Sequence, residues 1–332
     1  MQTWNRPKRL AALALLAALP VALAATACGG GTTTSADGTV SFTVAVIEPD
    51  ITAVPVLAAV DAVRAAGHRV EVVELAEPEL AIEGLAKGTY AISAEATSPA
   101  LIAIQQGAPI KIIADVIGNQ WAVYGKAGIS SCDDLGGRPF GIFSEGAVAT
   151  AIVKDWVDTT CTGGKRPEYL TIGGSEVRAQ ALISGEIDAT PLEMSDVVAL
   201  ESSGISAFTQ VVDFTRSLPD LHPQTVYANA EFLAEHRDVA QAFVTALVQE
   251  HSKINTDPRH LVALVAKHLP DQDAAEVERI ARRYVDAKLF DAGALTEQNV
   301  RGTIDFFVRA GVIEPGMTAK DVADLSFIEA AP

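Results

Sequence analysis

The sequence predicts an α/β fold in two lobes, with mostly parallel sheets, two crossover segments and a helical C-terminal tail. Three observations carry this. Short apolar strands alternate with helical stretches, the alternation starts afresh past the middle of the first half, and from Ala230 onward the pattern is almost all helical.

Residues 40–47 alternate and are rich in Val, Phe and Thr, which reads as a strand. Glu48-Pro49-Asp50-Ile51-Thr52 breaks it, and 54–66 follows as a helix with Val54, Leu57, Val60 and Val63 on one face and Gly67 as its stop. Next come a strand at 69–75, a helix at 78–86 and a strand at 90–93. Ser98 reads as the N-cap, with Pro99 at the first position, of a helix reaching Gln106, and 110–116 is a fourth strand. The pattern then restarts. A short acidic turn at 132–137 precedes strands at 138–143, 168–172, 187–190 and 207–212, with helices at 146–157, 175–184 and 194–202 between them. The tail reads as helices at 231–255, 258–268, 273–289 and 296–310. The first of these carries Phe232, Leu233, Val239, Phe243, Leu247 and Ile254 on one face, expected to pack on the first lobe. The expected lobes are therefore 40–120 plus 226–332, and an inserted 126–213, joined by crossings near 120–125 and 214–226. Two lobes on a double hinge can open and close over a cleft.

The N-terminus carries Arg6, Lys8 and Arg9, then an apolar run over 10–23 that ends in Ala25-Thr26-Ala27-Cys28. That order reads as an export signal. With a cysteine at the cut it resembles a bacterial lipoprotein signal: 1–27 as the leader, Cys28 as the acylated first residue, and 28–39 as a flexible tether. Ala25 stands where such signals more often carry Leu, and an ordinary secretion signal or anchor helix is the alternative. No later apolar run approaches the roughly 20 residues that span a bilayer, so the expected anchor to the cell membrane is the lipid.

Cleavage would leave 305 residues and move the net charge from −17 to −20, because the leader holds three basic residues and no acidic ones. Such a surface repels phosphate backbones, which excludes nucleic acid as a partner. Cys132 and Cys161 then remain, expected as a disulfide outside the cytoplasm, with two buried free thiols as the alternative. No His or third Cys lies close enough in sequence to suggest a metal site.

Four ordered segments carry a family resemblance. Residues 85–92 (LAKGTYAI), with Ser98-Pro99-Ala100 and 107–114 (GAPIKIIA) after them, form the first. Residues 133–142 (DDLGGRPFGI), 181–189 (ALISGEIDA) and 231–238 (EFLAEHRD) are the others. Together they resemble periplasmic binding proteins for sulfonates and thiamine-precursor pyrimidines (SsuA/THI5-like, NMT1), over roughly residues 42–328. The resemblance implies a type II periplasmic-binding-protein fold. It also implies a monomer that captures a small molecule between its lobes and delivers it to the permease and ATPase of an ABC importer. The specific ligand does not carry over.

In open parallel sheets ligands sit beyond the carboxyl ends of the strands. The candidates there are Glu48, Asp50, Ser93, Glu95, Thr97, Ser98, Asn119, Trp121, Ser144, Glu145, Glu193 and Asp213, with Ser175 as a further hydroxyl. Helix N-termini with Ser and Gly suit a sulfonate or carboxylate. The acids Glu48 or Asp50, Glu95, Glu145, Glu193 and Asp213 suit an amine or the ring N–H groups of a heterocycle, and Trp121 offers a flat face. The acids favour a nitrogen-containing molecule, amine or pyrimidine-like, with a sulfonate, taurine or aromatic acid as the alternative. Caps for helices and a packed hinge tryptophan are the plainer roles for the same residues.

No GxSxG, HExxH, Walker A or GxGxxG motif appears, and the chain lacks the cysteine-rich segment of the family's yeast pyrimidine synthase. The histidines are scattered, and His251, His260 and His268 read as solvated positions on tail helices. The expectation is a binding protein, not an enzyme, with no cofactor and no metal. A surface co-receptor lipoprotein is the remaining alternative.

Overall fold

The computed structural model describes residues 31–202, 204 and 208–332, so the leader and Cys28 lie outside the described residues. In chain order the first sheet's elements are β1 (Thr33–Thr34), β2 (Val40–Ile47), α1 (Val54–Ala65), β3 (Arg69–Leu75), α2 (Pro78–Ala86), β4 (Ile92–Ala96), α3 (Thr97–Gln105) and β5 (Ile110–Ile117). The chain then builds a second sheet from β6 (Ala122–Lys126), β7 (Pro139–Ile142), α4 (Val148–Thr160), β8 (Glu168–Thr171), α5 (Ser175–Ser184), β9 (Ala189–Leu192), α6 (Met194–Ser202) and β10 (Phe208–Asp213). It returns through α7 (Phe214–Ser217) and β11 (Gln224–Asn229). The tail is α8 (Ala230–Glu235), α9 (Arg237–Thr256), α10 (Arg259–His268), α11 (Ala274–Asp286), α12 (Glu297–Arg309), α13 (Ala319–Val322) and α14 (Ser326–Glu329).

The first sheet has the order β1-β2-β4-β11-β5 with β3 beside β2, and the second β10-β6-β9-β7-β8. In the first, β2, β3, β4 and β5 point one way and β11 runs against them between β4 and β5. In the second, β6 runs against its neighbours β9 and β10. Mostly parallel strand direction is thus present, but each sheet includes a reversed strand next to a chain crossing, and the two-residue β1 is also reversed against β2. Both strands occupy residues that the sequence assigns to crossings. The crossings are shorter, at 118–121 and 214–223.

Other expectations shift. Within 28–39, Thr33 and Thr34 pair antiparallel with Ser41 and Val40, so the tether is not wholly free. The Asp37-Gly38 turn makes this possible: Gly38 sits at φ +83°, and the Asp37 carboxylate accepts the Thr39 amide at 3.0 Å. Ser98 is not an N-cap, because α3 starts two residues earlier, at Thr97 after Ala96. The long tail helix breaks at His236 into α8 and α9, with the Asn229 side chain capping α8 on Phe232 N.

Burial explains why the tail belongs to the first sheet. Phe232, Leu233, Val239, Phe243, Leu247 and Ile254 pack with Val54, Val56 and Val60 of α1 in one core. Fully burying each such side chain stabilises the fold by about 1.5–3 kcal/mol. A second core runs through both sheets, joining Leu101 and Ile112 to Phe140 and Ile152 and to Phe307 of α12. Among the described residues no helix is long and apolar enough to cross a membrane.

Cys132 and Cys161 form a disulfide with Cα atoms 5.2 Å apart, joining a short 3₁₀ turn (Cys132–Leu135) to the end of α4. Asp133 fastens the same two loops, accepting from Thr162 N and Gly163 N at 2.7 Å each. The bond spans 29 residues. Closing a loop of that length removes chain entropy worth about 3–4 kcal/mol from the unfolded state. Reduction is expected to lower unfolding free energy by about that amount, read as the shift in urea midpoint with and without phosphine. A shift near zero would mean that the Asp133 clamp already holds the loops.

Candidate functional site

Acids after β2, within β4 and after β9 lie close enough to act on one another's charge. Asp50, in the turn after β2, accepts from Thr52 N at 2.8 Å and Thr52 Oγ at 2.6 Å, which sets the entry to α1. Burial raises its pKa against those hydrogen bonds. Glu95 lies inside β4 and not in the loop after it. It turns back on the Ala96 amide and receives Gln224 Nε2 at 3.5 Å. Burial first, then the charges of Asp50 and Glu48, push its pKa up to about 7. Glu193 follows β9 and is 9% exposed. Burial raises its carboxyl well above the usual range, with Asp50, Asp196 and Glu95 adding to the effect and Arg178 opposing it. Asp196, in the first turn of α6, reaches about 6, chiefly through burial, while the Ser175 hydroxyl and Arg178 work against the shift.

Arg178 of α5 is 1% exposed. Its guanidinium donates to Pro191 O at 3.1 Å, to Thr190 Oγ1 at 3.1 Å and to Gly173 O, and it lies 5.8 Å from the Trp121 ring centre. Burial lowers its pKa to about 10 while Glu193 and Asp196 hold it up, so it stays charged at neutral pH. The flat face of Trp121 therefore already carries a cation from the protein itself. Its indole Nε1 is buried without a hydrogen-bond partner, as are Gln120 Nε2 and Gln224 Oε1. Tyr284 of α11 donates to Gln120 Oε1 at 3.0 Å, which brings the tail to the same place.

Several candidates lie at the chain crossings or on the surface. Asn119 Nδ2 donates to Phe214 O at 3.1 Å and Leu218 O at 3.2 Å, tying one crossing to the other. Thr97 Oγ1 donates to His222 O at 2.8 Å, inside the second crossing. Asp213 caps α7 through Thr215 N and pairs with Arg216 at 3.3 Å, so its carboxylate is occupied. Glu145 is exposed and pairs with Lys154. Glu48 is exposed at the rim, with φ +36°. Ser144 is half-buried, and Ser93 is buried in β4 opposite Tyr227. Ser98 donates to Gly146 O at 3.2 Å, a direct bond between the lobes. His251, expected on a solvated face, is 2% exposed. It accepts Ala292 N at 2.8 Å, and burial drops its pKa to about 3.

Two more bonds link the lobes at the periphery. Arg309 of α12 meets Asp155 of α4 at 2.9 Å, and Arg283 of α11 pairs with Glu201 of α6. Exposed pairs of this kind contribute little, about 0–1 kcal/mol each. The site within is two-sided: acids from both sheets, one buried arginine, an indole, and amides with unused hydrogen-bonding capacity.

The NMT1/THI5-like family model matches residues 64–260, more than half of the chain. The chain belongs to the NMT1/THI5-like family. No curated protein sequence matches it closely enough to report. Solved structures agree with the family on the fold. A ligand-binding component of an ABC-type import system from Staphylococcus aureus, solved with zinc bound, aligns with a TM-score of 0.70 at 16% identity, over 87% of this chain and 98% of its own. The alkanesulfonate-binding protein SsuA from Xanthomonas axonopodis pv. citri, bound to MOPS, gives 0.65 at 16% over 84% and 96%. A sulfonate-binding SsuA from Methylobacillus flagellatus gives 0.65 at 16% over 86% and 92%. The fold is that of a two-lobed periplasmic binding protein, as the sequence leads one to expect. Among the described residues of this family member, no group of three or more His, Cys, Asp or Glu could hold a metal ion.

Sequence reasoning missed Arg178, Asp196, Gln120, Gln224 and Tyr284. Arg178 and Asp196 sit on amphipathic helices, where a lone charge ordinarily reads as a solvated one. Gln224 and Gln120 lie in segments taken for crossings.

Proposed function

We propose that this NMT1/THI5-like protein is the extracytoplasmic solute-binding lipoprotein of an ABC importer. It captures a small nitrogen-containing molecule, amine or pyrimidine-like, and passes it to a permease without altering it. One lobe comprises 40–120 and 226–332, the other the inserted 126–213, and the hinge is the pair of crossings. Cys28 carries the lipid that holds a monomer at the cell membrane, and the ATPase acts from the other side.

The observation that carries the ligand class is the gathering of Asp50, Glu95, Glu193 and Asp196, of which only Glu193 and Asp196 feel the guanidinium of Arg178. A feature also favours an anion: α3, α4 and α5 begin without a side-chain cap, as a sulfonate site needs. Magnitudes decide between them. A helix N-terminus stabilises an anion by about 0.3–1 kcal/mol, up to about 2 in favourable geometry. A carboxylate 4–8 Å from it repels by about 2–4 kcal/mol at an effective dielectric of about 20. Two ionised carboxylates already outweigh three helix ends, so the sulfonate stands second wherever the cleft acids have lost their protons.

Mass spectrometry of protein extracted from membranes tests the guest and the anchor together. The expected result is an acylated chain beginning at Cys28 and a released nitrogen compound. Adding that compound at a hundred times its Kd should raise unfolding free energy by about 2.7 kcal/mol, seen as a higher melting temperature. A sulfonate that alone raises it, or turnover of the compound, would reverse the reading.

A further inference from the structure

The acids of the cleft come from opposite lobes, and this has a mechanical consequence. Glu193 and Asp196, from the second sheet, feel Asp50 of the first, and Glu193 feels Glu95 as well. Glu48 adds charge from the rim, and the phenols of Tyr227 and Tyr284 are buried beside the group and stay neutral. Arg178 is the cation that acts on Glu193 and Asp196, but its N–H groups are engaged by Gly173, Thr190 and Pro191. Asp50 and Glu95 are relieved by hydrogen bonds from Thr52, Ala96 and Gln224, not by a cation. Closing the lobes therefore gathers more negative than positive charge.

Buried polar atoms without partners sit around the same group. The Gln224 amide touches Glu95, and its own oxygen is unpartnered in a side chain 6% exposed. Trp121 Nε1, in a residue 8% exposed beside Arg178, and Gln120 Nε2, in one 2% exposed, are donors without acceptors. Buried polar groups are nearly always satisfied, so unused donors and an unused acceptor around one acid cluster point to a guest that supplies the complements.

Resting on the nitrogen-compound reading, we propose that the guest is a cation that also carries a hydrogen-bond acceptor. Its positive charge is what lets the carboxylates of the two lobes come together, and protons take that role in its absence. The cationic nitrogen lies among Glu95, Glu193, Asp50 and Asp196. Its acceptor, a carbonyl oxygen or ring nitrogen, meets Trp121 and Gln120. Where the guest-free protein is already closed, in acid, binding displaces the protons that the cleft holds; where it is open, the carboxylates are already ionised and none are displaced.

The sign follows from the raised carboxyls. With the acids of both lobes buried together Glu95 titrates near 7 and Asp196 near 6, and solvent entering an opened cleft would return them toward the ordinary carboxylate range. The closed state binds more protons, so acid favours closure. That advantage is fully present below the ordinary range and fades as pH rises through the closed-form values. Each such carboxyl changes the closed-to-open ratio by up to about tenfold per pH unit inside its window.

X-ray scattering of guest-free protein at pH 5 and pH 8 tests this without any ligand. The radius of gyration should be smaller at pH 5, and the Glu193→Gln/Asp196→Asn variant should be compact at both. A radius indifferent to pH in the native protein overturns the proposal. Calorimetry at pH 7 supplies a second readout that needs no variant. Histamine serves as a cation with a ring nitrogen, putrescine as a cation without an acceptor, and propane-1-sulfonate as an anion. Histamine should bind at least tenfold tighter than putrescine. Histamine binding no tighter than putrescine overturns this inference and leaves the nitrogen-compound reading intact. Binding of propane-1-sulfonate alone overturns both.

Discussion

Replacing Arg178 with Met is expected to lower unfolding free energy by about 3–5 kcal/mol, the scale for removing one partner from a buried charged network. Methionine keeps much of the length and volume of the side chain, so the change isolates the guanidinium. Its loss leaves Gly173 O and Pro191 O without these donors and removes the positive charge that moderates Glu193 and Asp196. Those carboxyls, already raised by burial, rise further. The destabilisation should therefore be larger at pH 8, where they are driven to ionise, than at pH 5, where they hold protons. Urea unfolding at the two pH values reads this directly. A loss below about 1 kcal/mol, in the range of surface substitutions, would mean that Arg178 does not balance the acids.

Much of the fold is legible because local signals agree with global ones. The strand at Val40–Ile47 and the helix at Met194–Ser202 stand where the sequence puts them, and the apolar face from Phe232 to Ile254 packs as its spacing demands. What escapes is set by distant contacts. β11 is buried along its whole length because β4 and β5 flank it, so Gln224–Asn229 shows no alternation. It follows Pro223 and His222, which read as loop. The break at His236 is hidden because apolar spacing continues across it. Among the site residues, Glu193 and Asp50 are visible as acids at strand ends. Glu95 is visible as an acid but misplaced, since β4 runs three residues further than Ser93. Arg178 is invisible, because burial of a lone arginine depends on carbonyls that only the folded chain brings near.

The hinge carries the second large effect. His222, in the second crossing, and Asp115, on β5 just before the first, form an ion pair at 3.0 Å with exposures of 7% and 2%. Burial works against the His222 charge, but Asp115 outweighs it, helped by Asp220 and Asp291, and the net pKa lies above the ordinary 6.5. The backbone around His222 is held as well, its N–H by Thr303 Oγ1 at 3.2 Å and its carbonyl by Thr97. His222→Leu leaves Asp115 buried beside no cation and should destabilise the protein by about 3–5 kcal/mol. The double change with Asp115→Leu should recover most of that loss, because no buried charge is then left unpaired. A group whose pKa is raised on folding stabilises fully below its unfolded value and loses that contribution as pH rises through the folded one. Native stability should therefore fall from about pH 6.5 upward by more than that of His222→Leu, compared in urea at pH 6 and pH 8.5. Equal pH slopes in the two proteins would show that His222 does not hold a proton in the fold. The hinge would then be a packed joint and not an electrostatic one, and the pH response of closure would have to come from the cleft acids alone.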